Sequence, residues 1–330
     1  MEAVVQRAYG DADVLKIERI DRPVIGDDEV LVRVRAASIN NADWVYTSGT
    51  PLIARIAFGL RAPRMIVRGK DVAGVVESVG AKVINFRFGD AVYGELESGT
   101  FAEFVAAPAS RLARKPTNLS FQQAATVPLS GMTALLGLRE AGSVKAGQSV
   151  LINGASGGVG TFAVQIAKAL GADVTVAARA RDAEFVRSLG TDHLIDNCRD
   201  ASTLGTTRYD VIFDLIGNHT LTELLGALTP KGTLVRSIGN GGRVLGPVGL
   251  IFMTLARSPF VSQTLSPFVS RPDTFFTQSG SSQILDELRE LIEFGQVTPV
   301  IDRAYPLAET SAAMRYFVEE HTRGKIAIDL

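Results

Sequence analysis

Polar and apolar residues alternate at short range through the first third of the chain, and apolar residues recur at helical spacing through its middle. After Ala3-Val4-Val5, the segment Val30 to Arg35 sets Val30, Val32 and Val34 against Leu31, Arg33 and Arg35, the period of a half-buried strand. Further β segments read at Gly74 to Val79, Ala91 to Tyr93 and Phe101 to Val105, divided by the turn signals Gly80, Gly89-Asp90 and Gly94. Strands so short and so closely spaced predict an irregular antiparallel β-barrel. Pro108 to Ser120 is a polar connector into a helix over Phe121 to Gly142, which Pro128 interrupts.

The period changes at Val150-Leu151-Ile152, a strand ending in Asn153-Gly154. Beyond it Val159, Phe162, Ala163, Ile166, Ala167 and Leu170 mark one face of a helix, Gly171 stops it, and a second strand runs from Val174 to Ala178. The alternation continues with a helix at Asp182 to Leu189, strands at His193 to Ile195 and Asp210 to Leu215, a helix at Leu221 to Leu228 and a strand at Thr233 to Ile238. This is the pattern of a doubly wound α/β fold with a parallel sheet. Helices at Ser282 to Phe294 and Leu307 to Glu320, then a strand at Lys325 to Ile328, form a tail that could return to the first domain. Thr47 to Met65 and Arg243 to Phe276, expected to shape the pocket and any dimer face, follow no pattern that names a substrate.

A length of 330 residues with 46% hydrophobic content implies two domains. The net charge of −1 lacks the basic excess that nucleic-acid binding needs. Cys198 is the single cysteine, which excludes a disulfide framework or a multi-cysteine zinc lobe and fits a reducing, cytoplasmic setting. MEAVVQRAYG carries no secretory pattern, and the apolar stretch Val244 to Ala256 is broken by Gly246-Pro247 and Gly249. No membrane partner is expected; a buried or interface segment is, and with it a homodimer.

The candidate chemistry starts at Ala155-Ser156-Gly157-Gly158-Val159-Gly160, a glycine turn between strand and helix. Gly157 would let backbone approach a pyrophosphate, Gly160 would let the helix pack on its strand, and the helix N-terminus offers free N–H groups to phosphates. Where a dinucleotide fold that prefers NAD(H) keeps an acidic residue at the end of the second strand, this chain has Arg179, with Arg181 close behind. Two guanidiniums suit a 2′-phosphate, so NADPH is the expected cofactor; a solvated basic turn is the alternative. Ligands of such sheets lie beyond the carboxyl ends of strands, which directs Asp214-Leu215-Ile216-Gly217 and Ser237-Ile238-Gly239 toward the cofactor.

Taken together, Ala36 to Asn40 with Asp43-Trp44, Asp71 to Val76, Pro128 to Thr133, the glycine motif, Gly295 to Pro306 and His321 to Lys325 resemble the medium-chain dehydrogenase/reductase superfamily, in its zinc-free quinone oxidoreductase and enone reductase branch. The resemblance implies a GroES-like, barrel-like catalytic domain of residues 1–124 and 267–330 around a Rossmann NADP-binding domain of residues 125–266. Zinc enzymes of the superfamily keep a Cys, a His-Glu pair and another Cys at the metal; here Asn40-Asn41 and Gly69-Lys70-Asp71 take those segments, so no metal is expected. His193, His219 and His321 are scattered and read as surface or capping residues.

The resemblance further places Asn40 beside the nicotinamide, although a turn residue closing the strand is the other reading. The tyrosine often found five residues beyond that asparagine is replaced by Val45, leaving the adjacent Tyr46 or solvent as proton source. Thr133 would touch the cofactor or cap a helix, Asn197 stands where an aromatic often stacks near the adenosine, and Arg323 with Lys325 would close over phosphates or simply enter a strand. The implied activity is hydride transfer from NADPH to a small-molecule quinone or α,β-unsaturated carbonyl; a catalytically idle NADPH-binding protein is the alternative.

Overall fold

The computed structural model describes residues 1–196, 204, 207–236, 264–266 and 281–330. The chain forms two compact units, one of Met1–Met132, Arg271–Gly295 and Pro299–Leu330, the other of Thr133–Ser270 and Gln296–Thr298.

The first unit opens with strands β1 (Glu2–Gln6) and β2 (Leu15–Arg19), an antiparallel pair. Next come β3 (Glu29–Ile39), helices α1 (Asn41–Ser48) and α2 (Arg55–Phe58), and strands β4 (Asp71–Val79), β5 (Ala91–Glu95), β6 (Phe104–Pro108) and β7 (Leu112–Arg114). The long strand β3 pairs antiparallel with both β4 and β6. Gly74 of β4 lies beside a bulge between Val34 and Ala36, where an added Cβ would stand 2.3 Å from the Arg33 carbonyl oxygen. The strands approach too closely there for any side chain.

Two helices, α3 (Phe121–Ala125) and α4 (Pro128–Leu136), replace the single helix expected over Phe121 to Gly142. Pro128 opens α4 because a first-turn position needs no intrahelical N–H bond. The expected strand at Phe101 starts three residues later, since Phe101 is fully buried and its backbone is spent on Val4 and Arg68.

The second unit contains β8 (Ser149–Asn153), α5 (Gly158–Ala169), β9 (Asp173–Ala178), α6 (Ala183–Ser188), β10 (His193–Asp196), β11 (Tyr209–Asp214), α7 (Leu221–Gly226), β12 (Leu228–Arg236) and β13 (Thr264–Ser266). Among the described residues its six strands are all parallel, in the order β10-β9-β8-β11-β12-β13, which reverses direction between β8 and β11. Such a switch point is where doubly wound sheets hold ligands. Leu151, Ile212 and Leu234 carry the core across the central strands.

The tail returns to the first unit through α8 (Ser281–Glu293), β14 (Ile301–Pro306), α9 (Thr310–Glu319) and β15 (Lys325–Asp329). Strand β15 pairs antiparallel with the end of β3, setting Ile326 opposite Ile39. Ile326 and Ile328 of the tail share a core with Val4, Ile39, Phe101 and Met314.

Candidate active site

The turn from β8 into α5 has the geometry a dinucleotide requires. Gly157 caps α5 in extended conformation, and a Cβ added there meets nothing nearer than the Gly154 carbonyl at 3.7 Å. At Gly160 the same Cβ would fall 2.0 Å from that carbonyl and 2.7 Å from the Ala155 Cα. Gly160 is therefore needed for packing, whereas Gly157 leaves space in front of the helix. Gly157, Gly158 and Val159 are half-exposed, while Ser156 and Gly160 are buried. The first N–H groups of α5 lack intrahelical acceptors and lie at its positive dipole end, so a pyrophosphate fits this cradle.

Arg179, at the end of β9, is exposed and forms no ion pair among the described residues. Arg181 is also exposed, its Nε 3.8 Å from the buried Asp182 carboxylate. At the end of β11, Ile216 is 45% exposed, an unusual position for an isoleucine next to a nucleotide cradle. Asp214 behaves otherwise than its strand-end position suggested. It is fully buried and accepts hydrogen bonds from Asn153 Nδ2 at 2.8 Å, Gly217 N at 2.9 Å and Arg236 Nε at 3.0 Å. Its carboxylate ties together the ends of β8, β11 and β12 instead of facing a ligand. Thr133 is buried in α4. Asn197 and Gly239 lie outside the described residues.

In the first unit, the end of β3 and the start of α1 gather a buried polar cluster. The Asn40 backbone N–H donates to Asp43 Oδ2 at 2.8 Å, half of a helix-capping arrangement. Asn40 Nδ2 donates to Asp71 Oδ2 at 2.9 Å, and Asn40 Oδ1 accepts from the Lys325 ammonium. Lys325 also lies 3.4 Å from Asp71, and the Ser38 hydroxyl and Leu129 N–H donate to the same carboxylate at 2.8 and 3.0 Å. Lys325 thus departs from the phosphate contact expected of it: it is 3% exposed and engaged with Asn40 and Asp71. Arg323 is exposed.

Lys70 is 3% exposed and forms a 2.8 Å ion pair with Glu95, which Arg111 also approaches at 3.2 Å. Burial opposes the Lys70 charge, yet Glu95 beside it holds its pKa above the ordinary value. Burial has the opposite outcome at Lys325, lowering its pKa despite Asp71 and Asp43. Burial also pushes Asp43 up to about 6, against the Asn40 N–H and Lys70. Tyr46, buried in α1, stacks on Phe58 at 3.7 Å between ring centroids, with the Arg68 guanidinium 5.6 Å and the Lys70 ammonium 5.7 Å from its own centroid.

Sequence reasoning missed Asp43, Arg68, Glu95 and Asp71 as parts of one site. The signal available was their spacing around strand ends, but a buried carboxylate and a solvated one look alike in sequence. His219, expected as a surface or capping residue, is buried just ahead of α7, with Nδ1 3.9 Å from Glu223. Among the described residues, no three His, Cys, Asp or Glu side chains are grouped so as to hold a metal ion.

Residues 26–117 match the family of alcohol dehydrogenase GroES-like domains, and residues 189–328 match the family described as zinc-binding dehydrogenase. The chain is 33% identical over 342 residues to the chloroplastic NADPH-dependent alkenal/one oxidoreductase of Arabidopsis thaliana, a match covering 99% of this chain and 79% of that protein. It is 31% identical to the quinone oxidoreductase of Pseudomonas aeruginosa, over 97% of each. A mycobacterial structure complexed with NADPH aligns with a TM-score of 0.84 at 28% identity, covering 100% of both chains. The protein belongs to the medium-chain dehydrogenase/reductase superfamily, in its zinc-free quinone oxidoreductase branch, with a GroES-like domain and a Rossmann-type parallel sheet.

Proposed function

We propose that the protein is an NADPH-dependent oxidoreductase that reduces a quinone or an α,β-unsaturated carbonyl without a metal. The observation that carries this reading is the open cradle at Gly157 to Val159 on the switch point of the parallel sheet. In it, the backbone of Ser156 to Gly160 holds the pyrophosphate, and Arg179 with Arg181 meets the 2′-phosphate. Thr133 and Ile216 line the rest of the cofactor path. The nicotinamide, when bound, supplies a hydride.

Metal independence rests on the chemistry of the donors. A zinc ion needs anionic or neutral ligands, and the segment expected to provide a histidine holds the Lys70 ammonium instead, already neutralised by Glu95. An enone takes a hydride at its β-carbon and a proton at its α-carbon, so its own carbonyl is the electron sink. The chain needs only to align the acceptor and move one proton. Asn40, fixed by Asp71 and Lys325, is a rigid polar wall; Tyr46 is the proposed proton donor, with two cations near its ring to stabilise a developing phenolate. The names of the alkenal/one and quinone oxidoreductase relatives support the same acceptor class.

A binding-only role is the second reading, favoured by one observation: the Asn40 carboxamide is engaged at both ends. NADPH oxidation with a para-quinone, an enone and the matching saturated ketone separates the two. Turnover of an activated acceptor with little of the saturated ketone supports the reductase; tight NADPH binding without turnover of any activated acceptor supports the binding protein.

A further inference from the structure

Among the described residues, every buried cation of the first unit but one has a carboxylate within 4 Å. Lys70 has Glu95 at 2.8 Å and Lys325 has Asp71 at 3.4 Å. Arg68 is the exception. It is 2% exposed, its Nε has no hydrogen-bond partner, and among the described residues its guanidinium makes no ion pair within 4 Å. The carboxylate that acts on it most strongly, Asp43, has Oδ2 on the Asn40 N–H. An arginine stays charged even when buried, and a buried charge without a partner is unfavourable. The fold neutralises Lys70 and Lys325 with carboxylates of its own and gives the Arg68 guanidinium none within ion-pair distance among the described residues.

The surroundings suit an anion. From Trp44 to Lys70 the chain carries Arg55, Arg61, Arg64, Arg68 and Lys70 and no acidic residue. Arg55 lies 4.4 Å over the Tyr9 ring, and Arg55, Arg64 and Arg68 all bear electrostatically on the Tyr9 hydroxyl. Beside Arg68 stand the stacked rings of Tyr46 and Phe58, a flat wall of the kind that suits a planar conjugated molecule.

We propose that Arg68 is a specificity-determining residue that pairs with an acid group carried by the acceptor, so that the preferred substrates are conjugated carbonyl compounds bearing a carboxylate. The proposal rests on the reductase reading above, naming the acceptor class for the same site. A guanidinium fork donates two parallel hydrogen bonds to a carboxylate, which fixes orientation as well as charge.

The test uses a matched pair, 4-oxopent-2-enoate and its methyl ester, with the intact protein and NADPH. In the unmodified protein kcat/KM for the acid should exceed that for the ester by roughly tenfold or more, as a charge-assisted hydrogen bond implies. Arg68→Met should abolish the ratio, and Arg68→Lys, which keeps the charge and guards against misfolding, should retain part of it. Calorimetric titration with the unreactive saturated acid 4-oxopentanoate supplies a readout that needs no turnover: it should bind the unmodified protein and lose roughly tenfold or more in affinity in Arg68→Met. If no acceptor is turned over yet this binding difference holds, the reductase reading fails and the anion site stands. An acid-to-ester ratio near one, or equal 4-oxopentanoate affinity in both proteins, overturns the proposal. So does a loss of NADPH affinity in Arg68→Met with the acid preference intact, which would assign the guanidinium to a cofactor phosphate.

Discussion

The Lys325 ammonium stands 3.4 Å from the Asp71 carboxylate, both buried, and the Asn40 carboxamide is hydrogen-bonded to each of them. A residue of the last strand thereby braces the end of β3, where α1 begins.

Removing one partner of that pair leaves the other charged and buried. Lys325→Met should lower unfolding stability by about 3–5 kcal/mol, and Asp71→Asn placed in the same chain should restore part of the loss. Urea unfolding of the single and double variants reads this. Equal stability of Lys325→Met and the unmodified protein would mean the pair is not buried as described.

The two glycines of the cradle should respond differently to alanine. Gly160→Ala forces a Cβ to within 2.0 Å of the Gly154 carbonyl and should destabilise the second unit itself. Gly157→Ala meets only an ordinary contact, 3.7 Å from the Gly154 carbonyl, so the fold should survive while NADPH affinity falls, since the methyl takes the room a pyrophosphate needs. Thermal unfolding together with NADPH fluorescence titration distinguishes them; unaltered NADPH affinity in Gly157→Ala would show that the cradle does not hold phosphate.

Arg179 has no ion pair among the described residues, whereas Arg181 leans on Asp182 at 3.8 Å. Arg179→Ala should therefore weaken NADPH more than Arg181→Ala does, by about 1–3 kcal/mol for a charge-assisted contact, and leave NADH affinity nearly unchanged. Equal loss for both cofactors in Arg179→Ala would remove the 2′-phosphate role.

Asp43 sets a pH dependence whose sign follows from burial. Its pKa is raised from 3.8 to about 6, so between those values the folded protein binds more protons than the unfolded chain. The stability Asp43 contributes is full below pH 3.8 and is lost as pH rises through about 6. Asp71 and the cations Lys70, Lys325 and Arg68 bear on the same carboxyl. Relative to the unmodified protein, Asp43→Asn should gain on the order of 2 kcal/mol between pH 4 and 7. A difference that does not change with pH would place the Asp43 titration outside this window.

Much of this fold was legible because its signals are apolar and periodic. The strand, turn and helix from Val150 to Leu170 and the return of Lys325 to Ile328 could be read from burial on one face. Helix α1 could not, since the residues it buries are Asp43, Tyr46 and Thr47, a polar face that hydrophobic spacing does not report. Strand β12 starts at Leu228, where a helix end was expected, because α7 stops early at Gly226. At the site, Gly157 and Gly160 could be told apart in principle by motif position. The partners of Asn40 could not: Asp71 and Lys325 lie 31 and 285 residues away, and only the pairing of β3 with β4 and β15 brings them together.

The central claim, metal-free hydride delivery to an activated acceptor, is tested most directly by isotope transfer. Protein stripped of metal with a chelator is supplied with NADPH carrying deuterium in both C4 positions of the nicotinamide, and the product of an α,β-unsaturated ketone is analysed for label. The account predicts one deuterium at the β-carbon, solvent hydrogen at the α-carbon, and a rate unaltered by added zinc. Product without deuterium at the β-carbon, or turnover that appears only when zinc is restored, would contradict it.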